Sequence, residues 1–316
     1  MMLTRDSLDT VLAQARESGA SALWTATNRA SRQPAPSAIP YIWKYEVLRA
    51  LLLRAADFIT AEEAQRRVFR LDNPGLESGR TTDTLFAGLQ CILSGERAPA
   101  HRHTPFALRL VIEGNGAYTS VDGERIWMEP GDLILTPSWR YHDHGKTGEG
   151  PMIWLDGLDT PLFRYMGIAF QEAWTAARES LADAPPDSNL RFPWVEMRAR
   201  LDSEPGAYAM LSYLDRYTGA QIGKTIGARA ERIAGGVRSP GRRMTASNIF
   251  NVIAGSGHTT IGSTTVEWEP GDTFAVPAWY PHMHEAHGTE TAYLFSYSDR
   301  PMLESLGLYR EGSIDS

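Results

Sequence analysis

The sequence predicts an all-β core made of two similar small barrels, with helical segments ahead of them and between them. Two observations carry this. The triplet His101-Arg102-His103 is answered by His142 across short runs broken by Gly114-Asn-Gly116, Asp122-Gly123 and Pro130-Gly131-Asp132, the punctuation of short strands. The same blocks then return in the same order: Ile112–Gly116 as Ile253–Gly257, Trp127–Asp132 in slightly shifted register as Trp268–Asp272, and Pro137–His144 as Pro277–His284. One long unit repeated once implies two like domains, because a solenoid needs many short repeats.

The elements follow in order. Residues 1–75 read as helical: Val47, Leu48, Leu51, Leu52 and Ala55 keep the i, i+3, i+4 spacing of one buried face. Thr60 with Glu63 has the form of a capping box opening a second short helix. The Pro-rich stretch Ser31–Pro40 reads as an extended linker or arm. Residues 76–159 make the first barrel. There His101 and His103, two apart on a strand, leave from one face, and with His142 they suit a late first-row divalent metal such as iron. Residues 160–222 mix helical periodicity with breaks at Ala184-Pro-Pro-Asp187 and Pro205-Gly206, a helical or loop connection. Residues 223–300 make the second barrel, where Arg242 and Met244 align with His101 and His103 while His282 and His284 remain, with His287 close by. That barrel is expected to be metal-free, its histidines capping a strand end. Residues 301–316 read as a plain tail.

Composition bounds the function. A chain of 316 residues, 42% hydrophobic, buries a full core in two domains. A net charge of -7 without a basic stripe argues against nucleic acid. The single cysteine, Cys91, excludes an internal disulfide and reads as a buried strand residue. Neither a secretory signal pattern nor an apolar run long enough for a membrane span is seen, so a cytoplasmic protein is expected. Trp127, Trp139, Trp268 and Trp279 occur in both copies, which points to core packing.

The histidine spacing resembles the cupin signature, which usually carries a glutamate four or five residues after His-x-His. Here Ala107 and Leu108 stand there, Gly114 and Gly116 occupy the closing-glycine positions, and Gly131, Pro137 and His142 match the second motif. The resemblance implies a bicupin, two jelly-roll barrels in one chain, whose first site has three histidines and no carboxylate. Such a set leaves three positions of an octahedral iron for a bidentate substrate and O2. Arg109, two beyond Ala107, points inward if the strand is regular. A buried guanidinium needs a partner, either an anionic substrate or a structural salt bridge.

The runs Ala98–Pro105, Thr136–Gly145 and Trp154–Asp159 resemble the gentisate 1,2-dioxygenase family, which includes salicylate and 1-hydroxy-2-naphthoate enzymes. The similarity extends from Trp43-Lys-Tyr45 and Asn73–Leu76 through the second barrel. It implies a homo-oligomer, often a tetramer, with one Fe(2+) per chain held by His101, His103 and His142. Such an enzyme opens a small aromatic 2-hydroxy-carboxylate with O2 between the carboxyl-bearing and adjacent hydroxyl-bearing carbons. By position, Gln90, Arg109, His144 and Asp156 line the substrate pocket, and Arg66 and Arg67 are candidates for the arginines that bind the carboxylate. Arg109 would clamp that carboxylate, His144 would pass a proton, and Asp156 would orient His144 or Arg109, while Asp143 would face solvent. Phe86, Gly88 and Gln90 share one strand face. Apolar Phe86 and the space expected at Gly88 would admit a bulkier 5-substituent. Gentisate is the first expectation, a 5-nitro- or 5-chlorosalicylate or 1-hydroxy-2-naphthoate the second, and a non-catalytic ligand-binding bicupin the alternative outside enzymes.

Overall fold

The computed structural model describes residues 5–25, 31–175 and 182–313. Parts of the expected N-terminal, connecting and tail segments (1–4, 26–30, 176–181 and 314–316) lie outside it. Contacts divide the chain after Ala35. The first unit carries helix α1 (Arg5–Glu17) and a single 3-10 turn, Leu23–Thr25. The second, from Pro36 onward, holds two β-barrels, the first made of two six-stranded sheets and the second of a six-stranded and a five-stranded sheet.

One six-stranded sheet of each barrel follows the same plan. In the first, Arg191–Phe192, Leu133–Thr136, Ala107–Glu113, Met152–Leu158, Phe86–Ile92 and Val68–Arg70 lie side by side. In the second the order is Tyr41–Trp43, Thr273–Val276, Asn248–Ala254, Ala292–Ser298, Gly227–Ile233 and Tyr208–Ser212. The largest apolar cluster joins the two, with Leu108, Leu110 and Leu155 from one sheet and Ile249, Phe295 and Tyr297 from the other. Smaller clusters fill the interiors, around Met128, Ile134 and Trp154 in the first barrel and around Phe250, Trp268 and Phe274 in the second. Each such side chain contributes roughly 1.5–3 kcal/mol on burial.

The duplication is longer than the matching blocks, and its arms are exchanged. Tyr41–Trp43, ahead of the first barrel, pairs with the second barrel's Thr273–Val276, and Arg191–Phe192 pairs with the first barrel's Leu133–Thr136. Each arm leads into a helix, α2 (Tyr45–Ala56) or α4 (Trp194–Ser203). Asp272 accepts the Tyr45 backbone N–H at 2.8 Å and pairs with Lys44. Asp132 accepts the Trp194 N–H at 2.9 Å and pairs with Arg191 at 2.7 Å. Tyr45 covers Gly271 and Trp194 covers Gly131 so closely that a Cβ would come within 2.4 and 2.5 Å of the rings. Both glycines also have positive φ, so only glycine fits there.

Several expectations change. Residues 1–75 are not purely helical, because Tyr41–Trp43 and Val68–Arg70 are sheet strands. The Thr60–Glu63 capping box is made, with the Thr60 N–H donating to Glu63 at 3.0 Å and the Glu63 N–H to Thr60 at 3.1 Å. It opens only a turn, which ends at Gln65 with φ 57°. On α2, Leu52 faces the core while Val47 and Leu51 are exposed. At the start of the second unit, Asp83 accepts the Ser37 and Ala38 N–H groups. The connection 160–222 supplies Gln171–Ala173 beside the histidine strand of the first barrel. The tail is equally structural: after α5 (Arg300–Ser305), Glu311–Ser313 pairs with Arg242–Met244, repeating the sequence of α3 (Thr160–Tyr165) and Gln171–Ala173.

Candidate active site

Strand Arg97–His103 runs antiparallel to His142–Lys146, which sets His101 opposite His142 and leaves His103 two residues along the same face. The Nδ1–H of each ring donates to a nearby carbonyl: His101 to Pro99 at 3.0 Å, His103 to Pro105 at 2.8 Å, His142 to Arg140 at 3.0 Å. Those bonds fix the tautomer, so each Nε2 carries its lone pair inward. All three Nε2 atoms are buried with no protein partner, and one nitrogen from each ring lies within 4.8 Å of the others. Burial, with Arg66 as a further cause, pushes His101 down to about 3, and burial lowers His103 to about 4 and His142 well below its usual value. The three imidazoles are therefore neutral at pH 7, with their free Nε2 atoms gathered in one place. The residues fit a metal.

Beside this centre is a cavity of about 510 Å³, lined by His103, Arg109, Asp156, Arg66, Phe86 and Phe170 among others. Arg109 and Asp156 are register partners on adjacent strands and ion-paired at 3.1 Å. Arg109 also donates to Thr136, and the Trp154 indole N–H donates to Asp156 at 3.1 Å. Asp156 is thus in contact with Arg109 and the Trp154 indole, and the buried arginine is at once salt-bridged and part of the cavity lining. Burial lowers the Arg109 guanidinium and raises the Asp156 carboxyl, and their mutual attraction opposes both shifts. His144 is held through Nδ1 by Thr119 at 2.9 Å, its buried Nε2 has no partner, and burial keeps it neutral.

Other candidate residues divide. Arg66 lines the cavity, but Arg67 turns the opposite way into an ion pair with Glu96 at 2.6 Å and donates to the Ile59 carbonyl, so it is structural. Alternation explains this and exposes two residues that the sequence reading missed: Arg66, Val68 and Arg70 share the cavity face. Arg164 on α3 joins them, a placement no local pattern announces. Gln90 is buried opposite Trp154 with its carbonyl oxygen unpaired. Gly88 leaves no space, because a Cβ there would meet Val68 at 2.7 Å and the Phe86 ring at 3.0 Å. Asp143, expected in solvent, is buried and accepts from the Ser120 hydroxyl.

The second barrel fills the equivalent place. Arg242 stands opposite His282, Met244 is buried, and Phe250, in the position of Arg109, stacks on Phe274 at 5.0 Å. His282 and His284 are interior residues, not strand-end caps, and His284 lies edge-on to Phe250 at 4.7 Å. Trp127 and Trp268 are not counterparts. Trp268 pairs with Gly257 and is buried, whereas Trp127 faces outward and donates to Asp183, because a one-residue slip in register changes the face.

Two fused barrels, of which the first carries a three-histidine centre among the described residues, define a bicupin. The cupin domain model matches residues 88–157 and 231–297. The chain is 37% identical to gentisate 1,2 dioxygenase 1 of Aquipseudomonas alcaligenes, over 92% of its own length and 91% of that protein's. It is 34% identical to 5-aminosalicylate 1,2-dioxygenase of Comamonas sp, covering 89% and 83%. Its fold matches the crystal structure of salicylate 1,2-dioxygenase from Pseudaminobacter salicylatoxidans with a TM-score of 0.88 at 27% identity, over 99% of both chains. This chain belongs to the gentisate 1,2-dioxygenase family of ring-cleaving bicupin dioxygenases.

Proposed function

We propose that the chain opens gentisate with O2, between the carboxyl-bearing carbon and the adjacent hydroxyl-bearing carbon, using Fe(II) held by His101, His103 and His142. The observation that carries this reading is the convergence of three unpartnered Nε2 atoms beside a cavity with a buried arginine. Bound there, ferrous iron would chelate a carboxylate and its ortho hydroxyl and activate O2. Arg109, held rigid by Asp156 and Thr136, offers a fork to the substrate carboxylate, and Arg66 adds a second cation. His144, neutral and anchored by Thr119 within the barrel interior, would take or return the proton of the ring hydroxyl at Nε2. Val68, Phe86 and Leu158 supply an apolar wall for the ring. The filled space at Gly88 removes the motive for preferring a bulkier 5-substituent.

A homotetramer accompanies this reading, and the apolar Val47 and Leu51 that α2 turns outward offer surface for it. Light scattering in solution checks the mass. The activity test is anaerobic loading with Fe(II), then O2 uptake and ultraviolet spectra with gentisate, salicylate, 5-nitrosalicylate, 5-chlorosalicylate and 1-hydroxy-2-naphthoate in parallel. Gentisate should give the ring-fission chromophore. Turnover of another substrate alone would move the assignment within the family, and no turnover despite bound iron would overturn the reading.

A further inference from the structure

The outer wall of the second barrel carries a cluster that its twin lacks. On strand Gly257–Ile261, His258 lies directly opposite Glu267 on one neighbour and Glu285 on the other. His287 is drawn back to the same spot because its N–H donates to the Ser256 carbonyl at 2.8 Å. The result is His258 Nδ1 at 2.9 Å from His287 Nε2, and His287 Nε2 at 3.8 Å from a Glu267 oxygen. One donor atom from each of these three residues falls within 4.8 Å of the others. Around a tetrahedral ion bonded at about 2.1 Å, donors stand roughly 3.4 Å apart, so the observed spacings bracket what such an ion requires.

At the matching register in the first barrel, Tyr118 faces Trp127 and Gly145, and the two aromatic rings pack at 5.6 Å. The histidine–glutamate group is therefore no inheritance of the barrel plan. We propose that His258, His287 and Glu267 form a second metal site, taking a borderline divalent transition cation such as Zn(2+), separate from the ring-cleaving centre. Two imidazoles and one carboxylate select such an ion over calcium or magnesium, which prefer oxygen. With Nδ1 of His258 on the ion, its Nε2–H faces the Glu285 carboxylate 3.6 Å away, and Arg238 anchors that carboxylate at 2.6 Å. Such a carboxylate behind a ligating imidazole fixes its tautomer and strengthens the ligand. The fourth position opens to solvent, as His287 and Glu267 are 46% and 67% exposed.

Metal-stripped full-length protein titrated with Zn(2+), and in parallel with Co(2+), tests this. Two ions should bind per chain, and cobalt should show the intense visible bands of a tetrahedral site. The double variant His258→Ala/His287→Ala should bind one ion and lose those bands while ring cleavage by the iron-loaded enzyme is unchanged. Glu267→Gln, on an exposed side chain, should weaken the second ion by at least about 10-fold without disturbing the fold. One ion per chain in the wild type, or two in both wild type and double variant, would overturn the proposal, whichever substrate the enzyme opens.

Discussion

The two barrels share one plan down to single hydrogen bonds, yet one presents a metal centre and the other a packed interior. Asp159 and Asp299 show how close the likeness is. Asp159 accepts the Phe106 N–H and the Thr225 hydroxyl, and Asp299 accepts the Ser247 N–H and the Thr84 hydroxyl, each bridging to the other half. The difference rests on few positions. His101, His103, Arg109 and Asp156 in the first barrel stand where the second has Arg242, Met244, Phe250 and Ser296. A barrel wall tolerates either set: a stacked Phe250–Phe274 pair stands at the register where its twin has Arg109 beside Ile134.

The largest expected contrast is between His101→Ala, which should abolish iron binding and ring cleavage with the fold retained, and His282→Ala, which should leave both intact. Metal content and O2 uptake on the two variants decide it, and loss of activity in His282→Ala would end the division of labour. Next, Arg109→Phe copies the second barrel and strands Asp156 without its cation, at a cost of about 3–5 kcal/mol in urea unfolding. Adding Asp156→Ser completes the copy and should restore most of that stability while activity stays lost. Failure to recover would mean that the pair does more than serve the pocket.

The aspartate pair should respond alike. Burial raises both carboxyls to about 6, so each holds its proton better in the folded state. That contribution is present below about pH 4 and is lost as pH rises through 6. Asp159→Asn and Asp299→Asn should each be spared a loss of up to about 3 kcal/mol over that range. The buried histidines, lowered to about 3–4, act in the opposite direction over the same window, so the quantity to read is the variant minus the wild type. Unequal slopes would show that the two bridges are not equivalent. Smallest is Arg164→Glu, which places the second barrel's Glu304 at the cavity mouth. It should raise the KM for an anionic substrate severalfold, by about 1 kcal/mol, and the effect should shrink with added salt.

The duplication and the histidine set were legible because they depend on local spacing: two residues on one strand face, and turns marked by Gly and Pro. What escaped the sequence depends on pairing between distant segments. Nothing near Tyr41 says that its strand belongs to the far barrel, and nothing near Glu311 says that a tail becomes a sheet edge. Arg66 and Arg67 could have been separated by period-two alternation, since the strand that follows continues it through Val68 and Arg70. Gly88 misled because a missing side chain marks room only if no neighbour takes it, and Val68 and Phe86 do.

The exchanged arms also constrain how the molecule comes into being. When the ribosome has finished the first barrel's last strand, at Leu158, the edge strand Arg191–Phe192 and the Trp194 ring that covers Gly131 have not been made. The arm Tyr41–Trp43, already made, waits for strands more than 200 residues away. Neither half can close alone, and two half-chains expressed separately would each lack a piece that only the other carries. Had they once been separate identical subunits, each would have lent its arm to its mate.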